Sequence, residues 1–309
     1  MRTPPRLQAL LYCLFFVIAG CGSGHEAARE DTQEGGGISG ISAVVSIVPQ
    51  VYFVQRVGGT FVNVEPIAPL NYSPETYQIT PRQMDTLGRA QVYFRIGMPF
   101  EEELTERLSA TFPALRIVDT REGVPMLEMC EAGTHEGHDH EGHGHVHGGQ
   151  DPHIWLDPMR VKIQARTIAA ALQGLRPERA REFARNLADF ERDLDDLHGQ
   201  VTEILKPVRG QVLYVFHPAF GYFADAFGLV QRAIEFEGKS PGPRRLQQIV
   251  DEIRNSGTGA IFEQPQFKAA ELQAVAKETG VEVVLLDGLA VDWGENMKHM
   301  ASVIAEKLQ

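Results

Sequence analysis

Cysteine is scarce in this chain of 309 residues, which contains three. Cys13 and Cys21 lie in or beside an apolar N-terminal segment, and Cys130 stands alone in the remaining sequence. A small fold held together by disulfides needs several paired cysteines. We therefore expect no internal disulfide. Cys130 lies five residues before His135 and is interpreted either as a metal ligand or as a free thiol.

Basic residues are outnumbered, with 29 Lys and Arg against 41 Asp and Glu and a formal net charge of −12. An acidic surface argues against a nucleic-acid partner and suits a protein that handles cations. The patterns G-x-x-x-x-G-K-[ST] and H-E-x-x-H are both missing. We therefore expect neither an ATP site nor a zinc-protease site in this chain.

Long apolar runs are lacking beyond the N-terminus. Arg2 and Arg6 precede an apolar stretch at residues 7–18, and two small residues follow it. This pattern is typical of an export signal and is short for a membrane-spanning helix. We expect residues 1–20 to be a signal peptide and the mature protein to be extracytoplasmic or periplasmic.

The residues around Cys21 predict a lipid anchor. The tetrapeptide Ile18-Ala19-Gly20-Cys21 resembles a bacterial lipoprotein box, in which the cysteine is lipidated and becomes the new N-terminus. Acyl chains would then hold the protein at a membrane surface. Residues 21–40 are polar and glycine-rich and read as a flexible tether. A plain signal peptide with an incidental cysteine is the alternative.

Histidine is concentrated in one stretch, EAGTHEGHDHEGHGHVHGGQDPHIWLDP, which begins at Glu131. A loop at 131–150 carries six histidines that could bind metal weakly: His135, His138, His140, His143, His145 and His147. Neutral imidazole is a common ligand of transition metals, and a tract padded with glycine and acidic residues cannot form a packed core. His153 follows in a stiffer, apolar context and is interpreted as one ligand of an ordered site. A solvated loop without a metal role is the alternative for the tract.

Short apolar, β-branched runs alternate with helical patterns through the rest of the chain. The runs ISAVVSIVP, FVNVEPIAP, QVYFRIG and LRIVDT precede the histidine tract, and QVLYVFH, VQRAIEF, GAIFEQP and VEVVLLDG follow it. Strands that alternate with helices favour parallel sheets with helices on both faces. The sequence therefore predicts an α/β fold with two lobes, each with a four-stranded, mainly parallel sheet.

A long helix is predicted between the lobes, at residues 178–206. Apolar residues recur there at steps of three and four: Phe183, Leu187, Phe190, Leu194, Leu197, Val201 and Ile204. Such a stripe indicates one buried helix face, and 29 residues span ~43 Å. A coiled-coil dimer seam is the alternative. The lobes are then residues 41–177 and 207–309.

Several motifs, taken in order, resemble the substrate-binding lipoproteins of zinc and manganese ABC importers. They include SIVPQVYFVQRVGG, SPETYQITPRQM, the histidine tract before DPHIWLDP, VFHPAFGYFADAFGL, PGPRRLQQIVDEIRNSGTGAIFEQPQF and VVLLDGL. The resemblance covers nearly all of residues 41–309. It implies two α/β lobes bridged by one long rigid helix, with the metal bound in the cleft between them.

The resemblance also implies four metal ligands. The family motif S-P-H-x-Y/F-x-x-T-P matches residues 73–81, where Glu75 replaces the usual histidine. His153, His217 and Asp287 match the other three ligand positions. Glutamate at position 75 shifts the preference toward Mn²⁺ or Fe²⁺, whereas His217 and the histidine tract favour zinc. We expect Zn²⁺, and we keep open that Glu75 does not bind the metal.

Residue chemistry supports part of this set independently. His217 and Asp287 each end a predicted strand, and ligands of open parallel sheets bind beyond the carboxyl ends of the strands. Each also has a structural alternative, since His217 can be a core histidine and Asp287 a turn cap. Asp157, before Pro158, fits the N-cap of a helix with proline at the first position.

The expected function is capture of a divalent transition metal and its delivery to an ABC permease and its ATPase. The protein is expected to act as a monomer, to bind no nucleic acid and to catalyse no reaction. The alternatives are a Mn²⁺ or Fe²⁺ receptor of the same family and a histidine-rich zinc buffer or chaperone. A metalloenzyme and a surface adhesin related to the metal receptors also remain open.

Overall fold

Two four-stranded parallel sheets form the framework of this computed structural model, which describes residues 40–129, 149–235, 241–267 and 270–309. The first sheet has the order β2-β1-β3-β4 and consists of β1 (Ile41–Val45), β2 (Val62–Pro66), β3 (Val92–Arg95) and β4 (Arg116–Asp119). The second has the order β6-β5-β7-β8 and consists of β5 (Val212–Val215), β6 (Val230–Ala233), β7 (Ala260–Glu263) and β8 (Glu282–Leu285). The predicted α/β class with two sheets is confirmed.

Helices connect the strands. Those up to the long helix are α1 (Val48–Gly58), α2 (Pro81–Arg89), α3 (Glu101–Thr111), α4 (Pro158–Leu175) and α5 (Ala180–Leu205). Those after it are α6 (Gly221–Phe227), α7 (Pro243–Ser256), α8 (Ala270–Thr279) and α9 (Trp293–Leu308). Because helices cover both faces of each sheet, the central strands are largely buried, as in β7, where all four residues are buried.

The predicted long helix between the sheets is confirmed as α5, which has 26 residues and a 3₁₀ turn at each end. Its apolar stripe packs against α1, α4 and α9. Six of its side chains are buried: Phe183, Phe190, Leu194, Leu197, Val201 and Leu205. Leu187 and Ile204 are partly buried against the same core. The apolar stripe of α5 is therefore buried against other helices of the same chain.

A second contact between the halves is made by α9 and two tryptophans. The Trp293 ring packs edge-on against Phe53 of α1 at 5.0 Å between centroids. The indole N–H of Trp293 donates to the carbonyl of Trp155 at 2.9 Å, and that of Trp155 donates to the carbonyl of Gly288 at 2.8 Å. Both rings are almost fully buried. The two halves therefore share one continuous core beneath the ends of the strands.

The start of α4 agrees with the sequence prediction. The Asp157 carboxylate accepts a hydrogen bond from the backbone N–H of Met159 at 2.8 Å, and Pro158 occupies the first turn. Asp157 also pairs with Arg160 at 2.6 Å. The prediction that Asp157 caps this helix is confirmed.

Several predictions fall on residues outside the described ranges. These are the export signal, Cys21 and its tether, Cys130 and the six histidines of the tract. Within the described ranges, no helix combines the length and the apolar composition of a membrane span.

Candidate metal site

Three predicted ligands meet where the two sheets present the carboxyl ends of their strands. His217 follows β5 by two residues, and Glu75 lies in the connection between β2 and α2. His153 directly precedes a 3₁₀ turn, Ile154–Leu156, that leads into α4. Because connections after parallel strands gather at one edge of a sheet, residues far apart in the sequence converge there.

The three side chains form a compact triangle of donor atoms. Oε1 of Glu75 lies 3.0 Å from Nε2 of His153 and 3.3 Å from Nε2 of His217. The two Nε2 atoms lie 3.4 Å apart. Among the described residues, these three are the group of His, Cys, Asp and Glu side chains that could hold one metal ion.

The size of the triangle fits metal coordination. Zinc binds imidazole nitrogen and carboxylate oxygen at ~2.0–2.2 Å, so tetrahedral ligand atoms lie ~3.3–3.5 Å from one another. The measured sides of 3.0, 3.3 and 3.4 Å are close to these separations. Two imidazoles and one carboxylate are a donor set that suits a borderline cation.

Asp151 positions His153 through contacts to its backbone N–H and to its ring. Its Oδ1 accepts from the backbone N–H of His153 at 2.9 Å and lies 2.6 Å from Nδ1 of the ring. The carboxylate therefore fixes a proton on Nδ1 and leaves Nε2 facing Glu75 and His217. Burial lowers the pKa of His153, but the charges and hydrogen bonds of Asp151 and Glu75 outweigh burial and raise the pKa to about 9.

Glu235 does the same for His217. Its Oε1 lies 2.5 Å from Nδ1 of His217, and both side chains are almost fully buried. Burial lowers the pKa of His217, but the hydrogen bonds to Glu235 and Glu75 outweigh burial and raise it. The ring also stacks on Phe267, with centroids 4.9 Å apart. Both imidazoles thus present Nε2 to the same point.

Glu75 is the most exposed of the three, with 21% of its side chain accessible against 2% for His153 and 6% for His217. Burial raises the pKa of its carboxyl, but the hydrogen bonds to the two histidines hold the pKa well below its ordinary value. The hydroxyl of Ser73 donates to its other oxygen. Glu75 is therefore ionised and held in place.

The family profile described as "ZnuA: Zinc-uptake complex component A periplasmic" matches residues 43–307, nearly the whole described chain.

The chain belongs to this zinc-uptake family. The high-affinity zinc uptake system protein ZnuA of Yersinia pestis is 30% identical over 272 residues, which cover 82% of this chain and 84% of that protein. A crystal structure of ZnuA superposes with a TM-score of 0.79 at 36% identity, covering 87% of this chain and 100% of that one. A ZnuA deletion mutant with zinc bound also gives 0.79 at 36% identity, covering 87% and 98%.

Asp287, the fourth predicted ligand, is not part of the triangle. Its Oδ1 accepts from the backbone N–H of Leu289 at 2.9 Å and lies 3.4 Å from Nε2 of Gln266. Its carbonyl accepts from Asn296. In this arrangement of the zinc-uptake fold, the Asp287 carboxylate stabilises the turn after β8.

Asp151 and Glu235 were not identified from the sequence. Asp151 lies two residues before His153, a spacing that suits a side chain folding back onto the ring. Glu235 lies two residues after β6, which pairs with the β5 strand that leads to His217. An acidic residue after the neighbouring strand was the available signal, but several acidic residues share that property.

Proposed function

We propose that this protein is the extracytoplasmic receptor of an ABC importer and captures Zn²⁺ between its lobes at Glu75, His153 and His217. The observation that carries the proposal is the triangle of donor atoms, with sides of 3.0, 3.3 and 3.4 Å, built from both halves of the fold. Membership of the zinc-uptake family supports the same cargo. The loaded receptor would dock on a membrane permease whose ATPase drives uptake.

Capture follows from the charges at the site. Three carboxylates, those of Glu75, Asp151 and Glu235, surround two imidazoles. Without metal, protons on the rings balance part of this negative charge, and a divalent cation can replace them. The cation exchanges its hydration shell for nitrogen and oxygen ligands. The buried carboxylates behind the rings increase the basicity of the nitrogens that bind it.

The remaining features complete the proposal. Lipid on Cys21 would tether the lobes, residues 41–177 and 207–309, to the membrane through residues 21–40. The protein acts as a monomer and catalyses no reaction. The six histidines between 135 and 147 collect metal weakly. Turnover of an ester or peptide substrate would contradict the assignment as a transport receptor.

A second candidate, a receptor for Mn²⁺ or Fe²⁺, is favoured by one observation. Glu75 supplies a carboxylate where the family motif has histidine, and it lies within 3.0–3.3 Å of both rings. A hard, anionic oxygen moves preference toward hard cations. The two candidates differ in the cation bound and agree on the site.

The decisive experiment is metal competition on mature protein that lacks residues 135–147. One tightly bound Zn²⁺ per chain, lost in His153→Ala and in His217→Ala and weakened in Glu75→Ala, supports the cleft site. Tighter binding of Mn²⁺ or anaerobic Fe²⁺ would select the second candidate. If protein without residues 135–147 binds no metal tightly, metal binding belongs to the histidine tract, and the protein is a zinc buffer.

A further inference from the structure

Gln264 lies beside the triangle at the end of β7. It follows the last residue of that strand, and β7 pairs with β5, which leads to His217. It is 4% exposed and lines the same cavity as Glu75, His153 and His217. Because this side chain is buried, both the nitrogen and the oxygen of its amide need a partner.

The nitrogen of the Gln264 amide has a hydrogen-bond partner. Nε2 of Gln264 donates to the backbone carbonyl of His217 at 3.1 Å. Only the nitrogen of a carboxamide can donate to a carbonyl, so this contact fixes which end is which. Oε1 therefore points away from the His217 carbonyl. It is buried and has no hydrogen-bond partner among the described residues.

A buried amide oxygen without a partner calls for an explanation, such as a bound ion. The cavity leaves about 20 Å³ of open space, which is room for one water molecule or one cation. The three donors of the triangle leave at least one coordination position of a tetrahedral cation to fill. A carboxamide oxygen is a neutral, hard donor that suits zinc less than manganese, yet binds both.

We propose that Oε1 of Gln264 is the fourth protein ligand of the cation held by Glu75, His153 and His217. This inference rests on the proposed function, because it assumes that a cation binds at the triangle. It gives a set of two nitrogens and two oxygens. Oδ1 of Asp287, in contrast, accepts a hydrogen bond from the N–H of Leu289. The Nε2 contact of Gln264 also ties the new ligand to the backbone that carries His217.

The test compares two substitutions in mature protein that lacks residues 135–147, with Co²⁺, Zn²⁺ and Mn²⁺ as probes. Gln264→Glu keeps an oxygen and loses the N–H donor, whereas Gln264→Met keeps the length and loses both. Gln164→Met is the matched control. Its Oε1 is likewise buried without a partner among the described residues, and Gln164 does not line the cavity.

If Oε1 is a ligand, Gln264→Met weakens Zn²⁺ binding about tenfold or more and weakens Mn²⁺ binding further. It also changes the visible absorption of bound Co²⁺, which reports the ligand set directly. Gln264→Glu keeps binding and Gln164→Met changes neither. Circular dichroism of the metal-free variants checks that each is folded.

Other outcomes separate this inference from the proposed function. Equal weakening in Gln264→Glu and Gln264→Met, with the Co²⁺ spectrum unchanged, would show that only the N–H contact to His217 matters. If Gln264→Met keeps wild-type binding and the wild-type Co²⁺ spectrum, while His153→Ala still abolishes binding, the ligand role of Gln264 is overturned. Unchanged binding in His153→Ala and His217→Ala would overturn the metal site itself.

Discussion

Nδ1 of His217 lies 2.5 Å from Oε1 of Glu235, and both side chains are almost fully buried. This pair resembles the arrangement at His153, where Asp151 lies 2.6 Å from Nδ1. In each pair the carboxylate fixes the ring and its tautomer, so that Nε2 faces the triangle. We therefore expect the metal affinity of the proposed site to depend on two residues that do not belong to the triangle.

Glu235→Gln tests this dependence. Glutamine can still accept the Nδ1 proton but lacks the charge that makes Nε2 a stronger donor. We expect Zn²⁺ affinity to fall about 10–100-fold, measured by competition with a chromophoric chelator. Glu252→Gln, at a half-buried position of α7 in the same half, is the control and should bind as wild type. Equal affinity of the two variants would contradict a role for Glu235 in metal binding.

Metal binding should release protons. The pKa of His153 is raised to about 9, above its ordinary value near 6.5, so the metal-free ring is protonated at pH 7.5 and Zn²⁺ must displace that proton. We expect release of about one proton per Zn²⁺ at pH 7.5, seen as a dependence of calorimetric binding enthalpy on the ionisation enthalpy of the buffer. Release should decline as the pH rises through 9, and affinity should fall as the pH drops. A binding enthalpy that is independent of the buffer at pH 7.5 would refute it.

The same shift affects the metal-free fold with a defined sign. Because the folded-state pKa of His153 is raised, its imidazolium stabilises the fold fully below pH 6.5, and this contribution is lost as the pH rises through about 9. We expect the urea midpoint of metal-free protein to decrease between pH 7 and pH 9.5. His153→Ala should remove this part of the decrease. If the urea midpoint rises over that interval in the wild type, and rises equally in His153→Ala, the assignment of this stabilisation to His153 is contradicted.

The eight strands could be predicted because each is a short β-branched run that ends in a turn or helix signal. Helix α1, in contrast, was not predicted. Its sequence VPQVYFVQRVG is rich in β-branched residues and buries seven of its eleven positions, so it lacks the clear polar face that identifies a surface helix. Helix α6 is only seven residues long, which is too short for a periodic pattern.

The site was only partly predictable from the sequence. His217 and Asp287 were expected from their positions at strand ends, but strand position does not determine side-chain direction, and Asp287 contacts the turn after β8. Glu75 was inferred from the family motif alone. Gln264 and Glu235 were not identified, because their roles depend on which strands are neighbours in the second sheet.

Trp293→Phe should weaken the contact between the halves. The indole N–H of Trp293 donates to the carbonyl of Trp155, two residues from His153, and phenylalanine would leave that buried carbonyl unpaired. We expect the free energy of unfolding to fall by about 1–3 kcal/mol, measured by urea denaturation of metal-free protein. Substitution of the exposed Tyr72 by Phe is the control and should stay within about 0.5 kcal/mol. A Trp293→Phe midpoint equal to that of the control would show that the hydrogen bond contributes little.

Zinc should stabilise the two halves together, because Glu75 and His153 precede α5 and His217 follows it. A ligand that binds only the folded state stabilises it by about 2.7 kcal/mol at a free concentration of 100 times the Kd. For a chain of this size, that corresponds to a rise in Tm of roughly 5 °C. Differential scanning calorimetry of zinc-loaded and chelator-treated protein that lacks residues 135–147 measures it. Glu75→Ala should keep part of the shift and His217→Ala should lose it. A full shift in His217→Ala would place the stabilising zinc outside the triangle.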